Sequence, residues 1–143
     1  ISTINELCKA KGVQLILIDQ ATIWENNLSK RYEDLCWGGF MRDTDQHGVG
    51  LYLSISQLGL LINEYNSTME KVSAKNSIPF IKISSALEKD TSTFYDDCHF
   101  NESGARKVSD LLVKSLIELR IFDKYTDARQ LQNGGYTPIK PTF

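Results

Sequence analysis

"VQLILID", residues 13–19, is a compact run of leucine and β-branched residues closed by the polar Asp19 and Gln20. A run without polar alternation predicts a strand buried on both faces, as in a parallel sheet. Open α/β sheets gather their ligands at the carboxyl ends of strands, so Asp19 and Gln20 are expected on the side of the fold that carries a site.

The segments on either side supply the helices such a sheet needs. In "STINELCKAKG", Ile4, Leu7 and Cys8 fall at helical spacing, and Gly12 stands where a helix C-terminus wants a left-handed residue. Downstream, Leu58, Ile62, Tyr65, Met69 and Val72 step by four, three, four and three, the stripe of an amphipathic helix with Ser54 as its N-cap. "IPFIKIS" then reads as a second buried strand, with Pro79 tolerable at its start. Ala105, Val108, Leu112, Leu116 and Leu119 form a last helical stripe, capped by Asn101, with Glu102 favourable in its first turn and an end near Ile121.

Between the first strand and the long helix, residues 21–53 show no sustained period. They read as a long excursion with one short helix at residues 30–35, and it carries Trp24, Trp37, Gly38, Gly39, Phe40 and His47. Residues 123–143 are polar and turn-rich, an extended tail. The alternation of helix and strand predicts an α/β domain with a parallel sheet. Two strands are too few to stand alone, so the sheet is expected to be completed from elsewhere, by an upstream segment, a second chain or a second copy.

A chain of 143 residues makes one compact domain with a core of its own. Sixteen basic against eighteen acidic residues leave a formal charge of −2 and no dense basic patch, which argues against nucleic acid as a partner. No apolar run approaches the roughly 20 residues that span a bilayer. Cys8, Cys36 and Cys98 are odd in number and widely spaced, which points to free thiols and favours a reducing, cytoplasmic compartment. The chain opens at Ile1 rather than a methionine, so a preceding segment is expected and the compartment stays open.

The chemistry is concentrated in "YDDCHFNESGARKVSDLL", which begins at Tyr95. A histidine that serves as general base needs a carboxylate on its other ring nitrogen, and an Asp three residues earlier on one tight loop can supply it. On spacing alone D-x-x-H is a weak signal.

The fuller string D-D-C-H-F-N-E-S-G-A, followed by an amphipathic helix, resembles the last block of the SGNH (GDSL-type) hydrolases, a family of esterases and lipases. The likeness continues through "AKGVQLILIDQATIW" and "INEYNSTMEKVSAKNSIPFIKIS" and covers residues 1–121. It implies a three-layer α/β/α, flavodoxin-like fold of which residues 1–122 are the carboxyl-terminal portion. It also implies ester hydrolysis by a Ser-His-Asp triad, with His99 as base, Asp96 as its orienter and no cofactor. The family's G-D-S serine block and its oxyanion-hole Gly and Asn have no counterpart here.

No substitute nucleophile stands out. Ser54 looks like a helix cap, Ser84 and Ser85 follow a strand without a glycine elbow, and Gly134 sits in the tail. Three explanations stay open: a piece of a longer hydrolase, a chain that pairs with a second polypeptide carrying the serine, or a non-catalytic module built on the same fold.

Gln20, Trp24 and Trp37 are the substrate-binding candidates. The tryptophans, with Phe40, either line a pocket for an acyl ester or anchor the long loop. Asp97 reads as a solvated turn residue and Cys98 as a packed thiol. His47 has no partner ligands within reach, so no metal site is expected.

Overall fold

The computed structural model describes residues 1–43 and 50–123. His47 and residues 124–143, Gly134 among them, lie outside the described residues, as do the side chains of residues 40–43, 50 and 51.

Helix α1 (Ser2–Ala10) ends as its glycine demands. Lys11 is the C-cap and Gly12 adopts φ +67°, so that the N–H of Gly12 donates to the Lys9 carbonyl and that of Val13 to the Cys8 carbonyl. Those two bonds make a Schellman motif and satisfy carbonyls that the helix end would leave open. The apolar spacing of α1 does not translate into burial. Leu7 is 63% exposed, Ile4 is exposed as well, and Asn5 is the buried residue of this helix.

Strand β1 (Leu17–Ile18) pairs in parallel with a strand some sixty residues on, and the helix between them is the crossover that parallel pairing requires. Short helix α2 (Lys30–Glu33) follows β1. An antiparallel hairpin then forms from β2 (Phe40–Asp43) and β3 (Gly50–Tyr52), with an irregular register between Phe40 and Arg42. The sequence reading placed no strand in this excursion. Gly39, at φ +98°, lets the chain enter the hairpin where a side chain would stand 2.8 Å from the Leu53 carbonyl oxygen.

The long helix α3 (Ile55–Lys75) starts at a complete capping box. The Ser54 hydroxyl accepts from the Gln57 N–H at 3.2 Å, and the Gln57 side chain accepts from the Ser54 N–H at 2.8 Å. Gly59 on α3 lies against the Trp24–Glu25 backbone, where a Cβ would meet it at 3.4 Å, ordinary contact distance. Strand β4 (Phe80–Ile81) then lies beside β1, Leu17 opposite Phe80 and Ile18 opposite Ile81. Helix α4 (Glu102–Glu118) closes the described chain, its N-cap Asn101 accepting from the Gly104 N–H at 2.8 Å.

The core gathers Ala21, Ile23, Leu28, Ile81, Ile83, Leu87 and Phe94, with Val108, Leu111, Leu112 and Leu116 of α4 packed against it. Ala105 and Leu119, the outer members of the expected α4 stripe, are exposed, and Leu111 takes a place the stripe had missed. At the carboxyl ends of the paired strands the buried Asp19 carboxylate accepts from the N–H groups of Ile83 and Ser84, at 2.6 and 3.0 Å, and from the Ser84 hydroxyl. It ties the two strand ends together.

The chain is therefore an α/β protein with a two-stranded parallel sheet among its described residues. Both strands are shorter than expected, and β1 is not buried on both faces: Ile18 is 40% exposed and Val13 is exposed. With one neighbour strand among the described residues, β1 is covered only where core and helices reach it. No described helix is long and apolar enough to cross a membrane.

Candidate active site

Residues 94–100 form a tight loop between the core and α4. An antiparallel bridge between Phe94 and Phe100 and a bond from the Tyr95 N–H to the His99 carbonyl, 3.1 Å, close its base. Within the loop Asp96 folds its own turn: Oδ1 accepts from the N–H of Cys98 at 3.0 Å and of His99 at 2.8 Å. That turn brings the carboxylate onto the imidazole, with His99 Nδ1 2.8 Å from Oδ2 and 3.0 Å from Oδ1. The sequence spacing is thus realised as a contact.

Four donors hold Asp96 in its charged form. Burial pushes the carboxyl up, but the N–H groups of Cys98 and His99, the imidazole and the Trp37 indole together outweigh it and bring the pKa down to about 2. An aspartate so held fixes the Nδ1–H tautomer of His99 and leaves Nε2 for chemistry.

The imidazole is half-exposed and lines a cleft of about 420 Å³ shared with Gln20, Thr22, Trp24, Ile62 and Cys98. Gln20 and Trp24, both singled out from the sequence, therefore stand with His99. Each is fixed by a distant residue: both backbone groups of Gln20 bond the Asn66 amide at 2.9 Å, and the Trp24 carbonyl accepts from Lys89 Nζ at 2.9 Å.

Trp37 takes a different part. It is not among the cleft-lining residues but beside the dyad, its Nε1 donating to Asp96 Oδ2 at 3.4 Å and its ring nearly parallel to the imidazole with centroids 6.4 Å apart. Tyr95 lies near parallel to the same imidazole at 5.6 Å.

Asp97 corrects the sequence reading. It is 1% exposed, not a solvated turn residue: Oδ2 accepts from the Gly38 N–H at 2.7 Å, and its carbonyl accepts from the Ile23 N–H at 3.1 Å. A Cβ at Gly38 would collide with this carboxylate and stand 3.0 Å from the Trp24 ring, so only glycine passes here. No local pattern announces this role, because the partner is 59 residues away.

Cys98 is partly buried, and burial first, then the charges of Asp97 and Asp96, push its thiol up to about 11; Cys36 is raised to about 11 by burial, Asp97, Glu33 and Asp96. Cys98 Sγ sits 3.6 Å from His99 Nδ1, on the aspartate side of the ring, where it is neither ionised nor served by Nε2. The donor atoms of Asp96, Cys98 and His99 lie within 4.8 Å of one another, a spacing a metal ion could bridge. In this structure the carboxylate and imidazole are bonded to each other.

Dyad and cleft together are an arrangement for general-base chemistry: an oriented imidazole, one free nitrogen and an adjoining cavity. No family model, no curated protein and no solved structure matches the chain.

Proposed function

We propose that this chain supplies the His-Asp part of a serine ester hydrolase of the SGNH type. The observation that carries the reading is the Asp96 carboxylate seated on His99 Nδ1 while the imidazole lines an open cleft. In the proposed reaction a serine hydroxyl attacks the ester carbonyl as His99 Nε2 takes its proton. His99 returns that proton to the leaving alkoxide, and water, activated the same way, releases the acid. Asp96 stabilises the imidazolium formed in each half.

Among the described residues no serine lines the His99 cleft, so the nucleophile is assigned to a further segment or a second polypeptide. The same observation favours a second reading, a non-catalytic binding module on this fold. Intact-mass spectrometry of the purified protein, with any co-purifying chain, after a fluorophosphonate serine probe separates them. Covalent labelling that disappears in His99→Ala is the expected result; no label, or labelling at an unchanged rate in that variant, overturns the hydrolase.

A further inference from the structure

The His99 cleft does not end at Thr22. A second cavity of about 160 Å³ shares Gln20, Thr22 and Ile62 with it and continues towards Asn63, Ser85 and Lys89. The first compartment is lined by Trp24, Ile62 and Cys98 and suits a small apolar group. The second has a different chemistry: hydroxyls, amides, one ammonium and no carboxylate.

Lys89 is held in place there. One of its three N–H groups donates to the Trp24 carbonyl, and no carboxylate pairs with it among the described residues. Its acidic sequence neighbours are engaged elsewhere, Glu88 with Lys107 Nζ at 2.7 Å and Asp90 with the Ser92 N–H at 2.8 Å. Thr22, 4% exposed, lines both compartments. A partly buried, oriented cation with spare donors is a receptor for negative charge.

We infer that the second compartment receives an anionic group of the ligand, a carboxylate, so that the ester is the half-ester of a diacid or another carboxylate-bearing ester. That the ligand is an ester rests on the hydrolase reading; the anion subsite does not. Tying the Trp24 carbonyl alone would need any long donor and would leave the charge without purpose, which is what the experiment separates.

The test is amide NMR of the ¹⁵N-labelled chain titrated with monomethyl succinate and, in parallel, with neutral dimethyl succinate. Saturable shifts at Gln20, Asn63, Ser85 and Lys89, with the anion bound about tenfold more tightly, are expected. Lys89→Gln keeps an N–H donor, one bond shorter, and removes the charge, and it should abolish the preference while thermal unfolding confirms the fold. Equal binding of the two esters, a preference that survives Lys89→Gln, or acetate binding as tightly as the half-ester would overturn the proposal. If the anion preference holds and fluorophosphonate labelling fails, the hydrolase falls and the subsite stands.

Discussion

Gly104 is the position where one methyl group should disturb both fold and site. It is the third residue of α4, and its N–H is the one that Asn101 caps. A Cβ built there lands on the Thr93 carbonyl oxygen, 2.8 Å from the carbonyl carbon and 3.1 Å from the Cα. These are backbone atoms of a residue with no exposed surface, so neither side can swing away. Gly104→Ala therefore has to lift the start of α4 from residues 91–93, against the bonds from Asn101 N to the Thr93 carbonyl (3.0 Å) and from Asn101 Nδ2 to the Thr91 carbonyl (2.8 Å).

Two effects of opposite sign compete in that variant. Alanine returns about 1 kcal/mol of helix propensity. Overpacking against fixed neighbours costs about 1–3 kcal/mol, and a strained cap about 1 kcal/mol more. The contact wins, for a net loss of about 1–3 kcal/mol, read as a lower urea midpoint at unchanged slope. Ala105→Gly, at the next and exposed position, is the control and should lose about 1 kcal/mol from propensity alone. Because residues 91–93 lead into the loop of Asp96 and His99, the amides of that loop should shift in Gly104→Ala and stay in place in Ala105→Gly. A Gly104→Ala protein as stable as the parent would mean that the α4–Thr93 contact yields freely, and the reasoning would be refuted.

With the serine-bearing segment or partner present, Asp96→Asn should lower fluorophosphonate labelling by about 10³–10⁴-fold with the fold retained, and a loss under tenfold contradicts the dyad. Asp96 is held at about 2, below its ordinary value near 4. Its contribution to stability is thus complete above pH of about 4 and lost as the pH falls through about 2, so Asp96→Asn should narrow its gap to the parent over that window; parallel acid limbs would exclude it. With thiols pushed up to about 11, Cys36 and Cys98 should react with iodoacetamide at pH 8 about tenfold more slowly than an ordinary cysteine, as peptide mapping would show, and ordinary rates would contradict the burial argument. Ser54→Ala should cost about 1 kcal/mol in urea unfolding, and no change would mean that the capping box adds nothing.

The features legible in the sequence are those whose causes are local. The Ser54 and Asn101 caps act over three residues, the Gly12 stop over three to five, and the Asp96–His99 contact over three, so the caps and the stop could be read from spacing, the Asp-His contact only with the longer string around it, and each is present. What escaped depends on distant partners. The β2–β3 hairpin is held by cross-strand pairing, with Phe40 opposite Tyr52. The exposed apolar face of α1 has the same spacing as a buried one, since periodicity reports a face and not what covers it. Gln20 was placed near the site by strand topology and Trp24 proposed for it as an aromatic side chain, but what fixes them, Asn66 and Lys89, is 46 and 65 residues away.

The pair Asp96-Asp97 shows how the site is assembled from such parts. Adjacent residues on a tight loop point their side chains apart, so two chemically identical carboxylates meet unlike surroundings. Asp96 turns to the imidazole and to the N–H groups of its own loop. Asp97 turns inward and takes the N–H of Gly38, and its backbone carbonyl takes that of Ile23. Binding Gly38 places the preceding residue, Trp37, and Trp37 is the residue whose indole reaches Asp96. The buried Asp97 carboxylate thus fixes the segment that supplies a donor to Asp96, and through Ile23 it fixes the chain that carries Thr22 and Trp24 into the cleft. On this account Asp97→Asn, which keeps an oxygen for Gly38, should leave the dyad in place. Asp97→Ala, which cannot hold Gly38, should release Trp37 and Asp96 together.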